Sequence, residues 1–414
     1  MHNLSIWRRG LVVLVVLVVL FGSSPSAASA DSGYAQSGDY VPNEVLVKLN
    51  PLANLRAIEA AYHLKAPEQG VLQLDRQPIY RFEIADGASP LDKADKLQRD
   101  WRVVYAEPNY IGDLPEARQR SSWVVGGDAG DYAVQWAPTA LRLPEAHTIS
   151  RGANITVATL DTGVDVTHPA LVDHLVPGYD FVDLDEDPSE EAYGSAYGHG
   201  THVAGLVALA APDAKIMPLR TLGPDGIGTI WTQAQALRYA MNHGADVINL
   251  SFSFRHRSVL LDNVLGQVTC APAIDADCRS TIRPGAIVVA AAGNSGANIR
   301  EYPAADLVPG VLAVGASTEE NTLATFSTYG SWVRVAAPGE RIVSTLPGGY
   351  YAAWSGTSMA APLTAGVAAL DRAAYPSLRP KDVMMLIANT AAPLSGPVQW
   401  RVDAASSLGL IASQ

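Results

Sequence analysis

The stretch Ser355–Pro362, SGTSMAAP, and the Ala-rich apolar run that continues from it to Leu370 decide the fold class of this chain. A run of this composition predicts a buried helix that starts at Ser358. Pro362 is tolerated because it falls in or near the first turn, where a missing backbone N–H does the least damage. The hydroxyl of Ser358 would then point out of the helix start.

Upstream of this helix, apolar runs of strand length alternate with helical patterns such as Val203–Ala210, VAGLVALA. Such an alternation predicts a mostly parallel sheet with helices on both faces, that is, a three-layer α/β domain over residues 132–414. The predicted strands are Ile155–Leu160, Lys215–Arg220, Asp246–Ser253, Ala286–Ala292, Val311–Ala316 and Trp332–Ala337.

A smaller domain precedes the large one, within residues 31–112. Its strand-like runs and two amphipathic patterns follow the order β-α-β-β-α-β, which predicts a ferredoxin-like α+β unit. The second helix is expected to place Leu91, Ala94, Leu97 and Trp101 on one side. Residues 113–131 are polar and without periodicity, which predicts an exposed linker suited to proteolytic processing.

Residues 1–30 have the pattern of a secretory signal peptide, in which two arginines precede the apolar run Leu11–Phe21 and Ala28-Ser29-Ala30 follows as a cleavage site. The alternative is a membrane anchor, but this run is shorter than the ~20 residues that span a bilayer. The prediction is a secreted protein, extracellular or periplasmic, without a membrane association once the signal is removed.

The overall composition excludes some classes of function. A formal net charge of -12 gives no basic surface for phosphate, so nucleic acid is not an expected partner. The two cysteines, Cys270 and Cys278, are close enough for a local disulfide in an exported chain, and the alternative is two free thiols. We expect a monomer.

Three residues have the side chains of a nucleophilic catalyst. Asp161 follows a predicted buried strand, His199 lies in GHGTHVAG at a helix start, and Ser358 starts the buried helix. A serine hydroxyl needs a base to take its proton, and a histidine is the better base when a carboxylate orients it. Asn294, in AAGNSG after the strand that ends at Ala292, can donate its amide to a developing oxyanion beside the backbone N–H of Ser358.

The blocks DTGVD, GHGTHVAG, AAGN and SGTSMAAP occur in that order, and the chain resembles the subtilisin-like serine proteases, the peptidase S8 family. The resemblance extends from about Gln135 to the C-terminus, and the domain before it is similar to the family's inhibitor-type propeptide. It implies a serine endopeptidase made as a zymogen, with Asp161, His199 and Ser358 as the triad and Asn294 in the oxyanion hole. No catalytic cofactor is implied.

The resemblance also assigns Ser251, Phe252 and Ser253 to the strand that binds the substrate peptide. The chain departs from the family at Ser253, where glycine is usual, so a side chain could narrow the pocket mouth. Glu301, before Tyr302-Pro303, lies near the expected floor of the S1 pocket. Its carboxylate would favour basic P1 residues if it reaches the pocket, and the alternative is a surface glutamate below a broad apolar pocket.

The acidic run Asp180–Pro188 has two interpretations. Asp180, Asp183, Asp185 and Asp187 are hard oxygen donors, and thermitase-like members of the family bind structural calcium in this loop. A solvated acidic loop is the alternative. Ala170 stands where a second calcium site of the family commonly has aspartate, which argues against that second site. His202 lies three residues after His199, but without a third ligand we expect it to support packing.

Three other functions fit this pattern less well. An inactive relative normally lacks one of the catalytic residues, and all are present. A lipase or esterase orders its triad Ser, Asp, His, and Ala360 stands where that motif needs its second glycine. A non-catalytic peptide-binding module would need neither Ser358 nor Asn294. The partners expected are protein substrates and the chain's own propeptide.

Overall fold

The computed structural model describes residues 38–66, 70–74, 77–118, 124–125, 128–270 and 285–409. The predicted signal peptide, residues 1–30, and Cys278 lie outside these ranges, whereas Cys270 is disulfide-bonded. In the part of the chain that is described, no helix is both long and apolar enough to cross a bilayer.

The N-terminal domain is an antiparallel sheet with two helices, as predicted. Strand β1 lies between β4 and β5, and β2 and β3 both pair with β4. Alternate residues of β1, such as Val45 and Val47, meet Ile58 and Leu97 of the helices in a small core. The elements are β1 (Tyr40–Leu49), α1 (Leu55–Tyr62), β2 (Leu64–Lys65), β3 (Val71–Leu74), β4 (Gln77–Ile84), α2 (Pro90–Leu97) and β5 (Val103–Asp113).

The second helix differs from the prediction at its edges. Ala94 and Leu97 are buried, but Leu91 is 48% exposed and Trp101 is 75% exposed. Helix α2 ends at Leu97, so Trp101 lies in the turn that follows and no longer shares the buried face.

The C-terminal domain is built on a nine-stranded sheet with the order β18-β19-β15-β14-β13-β11-β7-β9-β8. Its elements are a 3₁₀ turn (Pro115–Arg118), β6 (Val124–Val125), α3 (Ala129–Val134), α4 (Trp136–Ala140), α5 (Leu143–Ala146), β7 (Thr156–Asp161), β8 (Tyr179–Asp180), α6 (His199–Ala210), β9 (Lys215–Arg220), β10 (Ile227–Thr229), α7 (Ile230–Asn242), β11 (Val247–Leu250), β12 (Ser253–Phe254), α8 (Val259–Val268), β13 (Ile287–Ala291), β14 (Val311–Ser317), β15 (Val335–Pro338), β16 (Ile342–Leu346), β17 (Tyr350–Trp354), α9 (Thr357–Ala374), α10 (Pro380–Asn389), β18 (Ala392–Pro393), β19 (Trp400–Arg401) and α11 (Ala404–Ser407).

Strands β7, β8, β9, β11, β13, β14, β15 and β19 pair in parallel, and only the β18–β19 pair of this sheet is antiparallel. Successive residues of a strand enter opposite cores: Val157 packs in the core that contains α6 and α9, and Ala158 in the core that contains α7 and α8. Because both faces are covered, these strands are apolar throughout rather than alternating. The three-layer α/β prediction is confirmed.

Strand β5 connects the two domains. Its last residues leave the N-terminal sheet and pair antiparallel with β10 on one side and β12 on the other, with Asp113 opposite both Ile227 and Ser253. The predicted boundary at residue 112 therefore falls inside a strand. The expectation of an exposed linker is wrong for its first residues, since Leu114 is 1% and Glu116 3% exposed.

Candidate active site

Asp161 ends strand β7, at the carboxyl edge of the sheet where parallel strands place their functional groups. Its side chain is buried, and the backbone N–H of Thr162 donates to Oδ1 at 2.8 Å. The same oxygen lies 2.7 Å from Nδ1 of His199. Asp161 therefore orients the imidazole and favours a proton on Nδ1.

His199 is the first residue of α6 and is completely buried. The glycine after it is needed for packing, because a Cβ on Gly200 would come 2.0 Å from the carbonyl oxygen of Gly163. Burial disfavours the charged ring, but the carboxylates of Asp161 and Glu116 outweigh it and raise the pKa of His199 to about 10. The imidazolium form is therefore strongly stabilised in this structure.

Ser358 is the second residue of α9, which begins one residue earlier than predicted. Pro362 has no N–H to donate to the Ser358 carbonyl four residues before it. That carbonyl instead accepts from Ser251 Oγ at 3.3 Å, while Ser358 Oγ lies 3.3 Å from the Ser251 carbonyl oxygen. The proline thus frees a backbone group that ties the start of α9 to the end of β11.

Asn294 is held with its amide nitrogen directed at the same place as Ser358 Oγ. Its Oδ1 accepts from the backbone N–H of Thr357 at 2.9 Å and from Thr357 Oγ1 at 3.0 Å. These two bonds fix the amide so that Nδ2 faces the site. Nδ2 donates to Glu116 Oε1 at 3.0 Å. The arrangement can stabilise a negatively charged oxygen beside the serine.

The structure brings Ser251, Phe252 and Ser253 to one wall of a cleft whose other wall is β10. Ser253 forms the start of β12 and pairs with Asp113 of the chain itself. The end of β5 therefore lies in this cleft as the middle strand of a three-stranded antiparallel arrangement. Phe252 is fully buried and packs edge-on against Phe254, so it supports the wall from behind.

Glu301 is not a surface residue: it is 4% exposed. One carboxylate oxygen accepts from Ser253 Oγ at 2.8 Å and the other from Thr328 Oγ1 at 3.2 Å. A Cβ on Gly293 would lie 2.4 Å from the Glu301 carboxylate, so this carboxylate packs directly behind the backbone that precedes Asn294. The hydroxyl of Ser253, at a position where glycine is usual, is thus hydrogen-bonded to the buried Glu301 side chain beside the cleft.

Glu116, which the sequence did not mark, occupies the centre of the site. Its Oε2 accepts from Ser358 Oγ at 2.8 Å and lies 3.6 Å from His199 Nε2, while Oε1 accepts from Asn294 Nδ2. The pairing of the end of β5 with β10 and β12 brings it here, although it lies 242 residues from Ser358 along the chain. No local motif around Pro115 and Glu116 carries that information.

Glu190 is a second residue that the sequence did not mark. It accepts from the backbone N–H of Gly200 at 3.0 Å and from Thr201 Oγ1 at 2.7 Å, and also from Thr162 Oγ1. The side chain is partly buried, but its carboxylate is enclosed, and this burial raises the pKa of Glu190 to about 7. Glu190 thereby links the start of α6 to the residue after Asp161.

His202 does not form a metal pair with His199. Its Nε2 lies 3.1 Å from the carbonyl oxygen of Ala352, and its ring stacks on Trp354 with centroids 4.6 Å apart. Burial lowers the pKa of His202 to about 3, so the ring is neutral. Packing and hydrogen bonding, as predicted, account for this histidine.

The acidic loop does not fit the calcium hypothesis in this arrangement. Asp180 Oδ2 and Asp183 Oδ2 both contact Arg220 Nη1, at 2.5 and 2.6 Å, and Glu191 contacts Nη2 of the same guanidinium. Asp185 and Asp187 each accept backbone N–H bonds within their own turns. Among the described residues no group of three or more acidic, His or Cys side chains could hold a metal ion.

Two family models match the chain. The subtilase family model matches residues 152–407, and the fervidolysin N-terminal prodomain model matches residues 26–109. The first match covers the three-layer domain and the second covers most of the small N-terminal domain.

Characterised proteins resemble the chain over the same regions. A thermophilic serine proteinase of Bacillus sp. strain AK1 is 35% identical over 84% of this chain and 82% of its own length. Thermitase of Thermoactinomyces vulgaris is 38% identical over 63% of this chain and 90% of its own length. The crystal structure of fervidolysin from Fervidobacterium pennivorans, described as a keratinolytic enzyme related to subtilisin, superposes with a TM-score of 0.72 at 25% identity over 92% of this chain, which spans 63% of that protein.

Proposed function

Since the chain belongs to the subtilase family of serine endopeptidases and carries a prodomain, we propose that Ser358, His199 and Asp161 are its catalytic triad. The observation that carries the proposal is the convergence on one point of the Ser358 hydroxyl, the Asn294 amide and an imidazole held by Asp161. These groups supply a nucleophile, an oxyanion donor and an oriented base.

The reaction follows from these positions. Ser358 Oγ attacks the scissile carbonyl carbon and its proton passes to Nε2 of His199, while the carbonyl oxygen becomes negative and is stabilised by Asn294 Nδ2. Asp161 stabilises the imidazolium through Nδ1. The imidazolium then protonates the leaving amine as the C–N bond breaks, and water releases the acyl group by the same steps in reverse.

The substrate is an extended peptide segment bound between β10 and β12. The support is that Gly112 and Asp113 of the chain already lie there with strand pairing on both sides. Main-chain hydrogen bonds of this kind are indifferent to most side chains, so preference must come from the pockets. Glu301, buried behind one pocket wall, is the residue we propose to set the preference at P1.

The N-terminal domain acts as an intramolecular inhibitor, because its last strand fills the cleft that a substrate needs. Release requires cleavage between about Asn109 and Asp131, by the protease itself. The signal-like residues 1–30 support export before this step.

The test compares the full-length precursor with its Ser358→Ala variant, using intact mass and hydrolysis of casein. We expect wild type to lose a fragment that ends between Asn109 and Asp131 and then to hydrolyse casein, while the variant stays whole and inactive. If both chains stay whole and neither cleaves casein, the triad assignment is wrong. The peptide-binding alternative would then take its place.

A further inference from the structure

Glu116 is a buried carboxylate that the proposed reaction does not use. Its two oxygens engage the three groups that must act in catalysis: the Ser358 hydroxyl at 2.8 Å, the Asn294 amide at 3.0 Å and the His199 Nε2 at 3.6 Å. The carboxylate oxygen bonded to Asn294 lies where a developing oxyanion would have to lie. We propose that Glu116 is a built-in inhibitor that occupies the oxyanion hole and holds the precursor latent, an inference that rests on the proposed proteolytic function.

The space for this carboxylate is made by a glycine. A Cβ on Gly356 would come 1.9 Å from Glu116 Oε1 and 3.2 Å from Asn294 Nδ2. The hollow is therefore bounded by Gly356 on one side and by the Asn294 amide on the other, and it admits an oxygen atom with little room to spare. Glu116 fills it from within the same chain.

The register of β5 explains why a side chain, rather than a peptide carbonyl, enters the hollow. Asp113 lies opposite Ser253, so antiparallel pairing would bring residue 115 opposite Ser251, next to the nucleophile. Residue 115 is proline, which has no N–H to donate to the Ser251 carbonyl. The ladder ends there, the chain enters the 3₁₀ turn Pro115–Arg118, and the next side chain, Glu116, reaches the oxyanion hole.

This geometry blocks the reaction in two ways. The hydroxyl of Ser358 donates its hydrogen bond to Glu116, and among the described residues His199 Nε2 has no hydrogen-bond partner. The imidazole is therefore not placed to take the serine proton. A carboxylate carbon is also a poor electrophile, because attack would add negative charge to a group that already carries it. Ser358 therefore faces a carboxylate that binds in the oxyanion hole as the tetrahedral intermediate would, but that the serine does not attack.

The first experiment follows processing of the full-length chain after purification in denaturant and refolding by dilution. Glu116→Ala should shorten the half-time for loss of the prodomain, measured by intact mass, at least about tenfold, because two hydrogen bonds to a charged group are removed. Glu83→Gln removes an exposed carboxylate of the same prodomain and should match wild type. Equal half-times for wild type and Glu116→Ala, with the released enzymes active on casein, would overturn the inference alone.

The second experiment does not depend on processing, so it also covers a Glu116→Ala chain that folds poorly. Precursors carrying Ser358→Ala remain intact, and the titration of His199 in them can be followed by NMR of its imidazole N–H protons. Replacing Glu116 by Gln keeps the shape of the side chain and removes a charge 3.6 Å from the ring, so the pKa of His199 should fall by about 1–2 units. An unchanged pKa would show that Glu116 is not in the site and would overturn the inference.

The two failures can be told apart. If no refolded chain loses its prodomain and none hydrolyses casein, the proposed function itself is wrong, and the inference fails with it. If processing and hydrolysis occur but Glu116 changes neither the half-time nor the pKa of His199, only the inference fails.

Discussion

Two glutamates on the segment that enters the catalytic domain, Glu107 and Glu116, are both buried and both accept hydrogen bonds from that domain. Glu107 accepts hydrogen bonds from Ser258 Oγ and from the backbone N–H groups of Val259 and Leu260, at 2.8 to 3.0 Å, at the N-terminus of α8. Glu116 instead accepts hydrogen bonds from Ser358 Oγ and Asn294 Nδ2. The difference shows that Glu107 holds the prodomain against the catalytic domain, whereas Glu116 contacts the groups needed for catalysis.

The physical reason lies in what each carboxylate replaces. The end of a helix has backbone N–H groups without intrahelical partners, and Glu107 satisfies them in the way a capping residue would. An oxyanion hole has donors arranged for a charge that exists only during the reaction, and in this structure Glu116 Oε1 accepts from its Asn294 donor instead. A carboxylate is therefore suited to both positions. Only the oxyanion hole must lose its carboxylate before the enzyme can act.

The largest expected effect falls on the donor that Glu116 shares with the reaction. Asn294→Ala should lower kcat of the processed enzyme by about 10²–10³, the loss known for removal of such a donor in subtilisin. Hydrolysis of a chromogenic peptide, normalised to titrated active sites, measures it. Asn298→Ala removes an exposed amide from the same loop and serves as the control. Equal kcat values for the two variants would remove Asn294 from the oxyanion hole.

Glu107→Ala should weaken the contact between the two domains without changing the groups around Ser358. In the Ser358→Ala precursor it should lower the free energy of unfolding by about 2–3 kcal/mol, because buried donors at the start of α8 lose a charged acceptor. Urea unfolding measures this, with Glu83→Ala as the exposed counterpart. A loss no greater than that of the control would mean that Glu107 does not hold the domains together.

Glu190 is a third carboxylate with hydrogen-bond donors around it, and it belongs to the catalytic domain itself. Burial raises its pKa from 4.5 to about 7. The folded chain therefore keeps a proton between those values that the unfolded chain has lost, and the free energy of unfolding should fall with rising pH by up to roughly 1.4 kcal/mol per pH unit.

The side chain introduced by Glu190→Gln does not titrate, so this variant of the Ser358→Ala precursor should show a smaller fall between pH 4.5 and 7. The part of the fall that remains comes from Asp306 and Asp371, whose pKa values burial raises to about 8. Urea unfolding at several pH values measures the slope, and Glu186→Gln, an exposed change in the same loop, should leave it as in wild type. An identical slope in the Glu190→Gln chain would show that this carboxylate does not titrate in that window.

The smallest expected effect concerns Glu301, a carboxylate that lies beside the cleft rather than in its centre. Glu301→Gln should lower kcat/KM for peptides with arginine at P1 by about tenfold, and leave phenylalanine at P1 unchanged, because a buried charge near the pocket is lost. Matched peptide substrates measure the ratio. Wild-type cleavage that already favours phenylalanine or leucine far over arginine or lysine would contradict the role of Glu301.

Much of the fold and the core of the site could be predicted because they depend on local patterns. Strands buried on both faces are apolar throughout, and functional groups lie at the carboxyl ends of parallel strands, so Asp161 and Asn294 could be recognised from their positions after such strands. The calcium interpretation of the acidic run depended on its closely spaced oxygen donors and on the resemblance to thermitase-like proteins. In the structure Arg220 forms ion pairs with Asp180 and Asp183, from which it lies 40 and 37 residues away along the chain.

The sequence by itself determined the layered domain, its small antiparallel partner and the candidates Asp161, His199, Ser358 and Asn294, because residue types at short spacing carry that information. Only the tertiary structure decided which carboxylate meets these groups. The position of Glu116 depends on the register between β5 and β12 and on the proline that ends their pairing. A contact across 242 residues arises from the packing of two domains, and no local pattern encodes it.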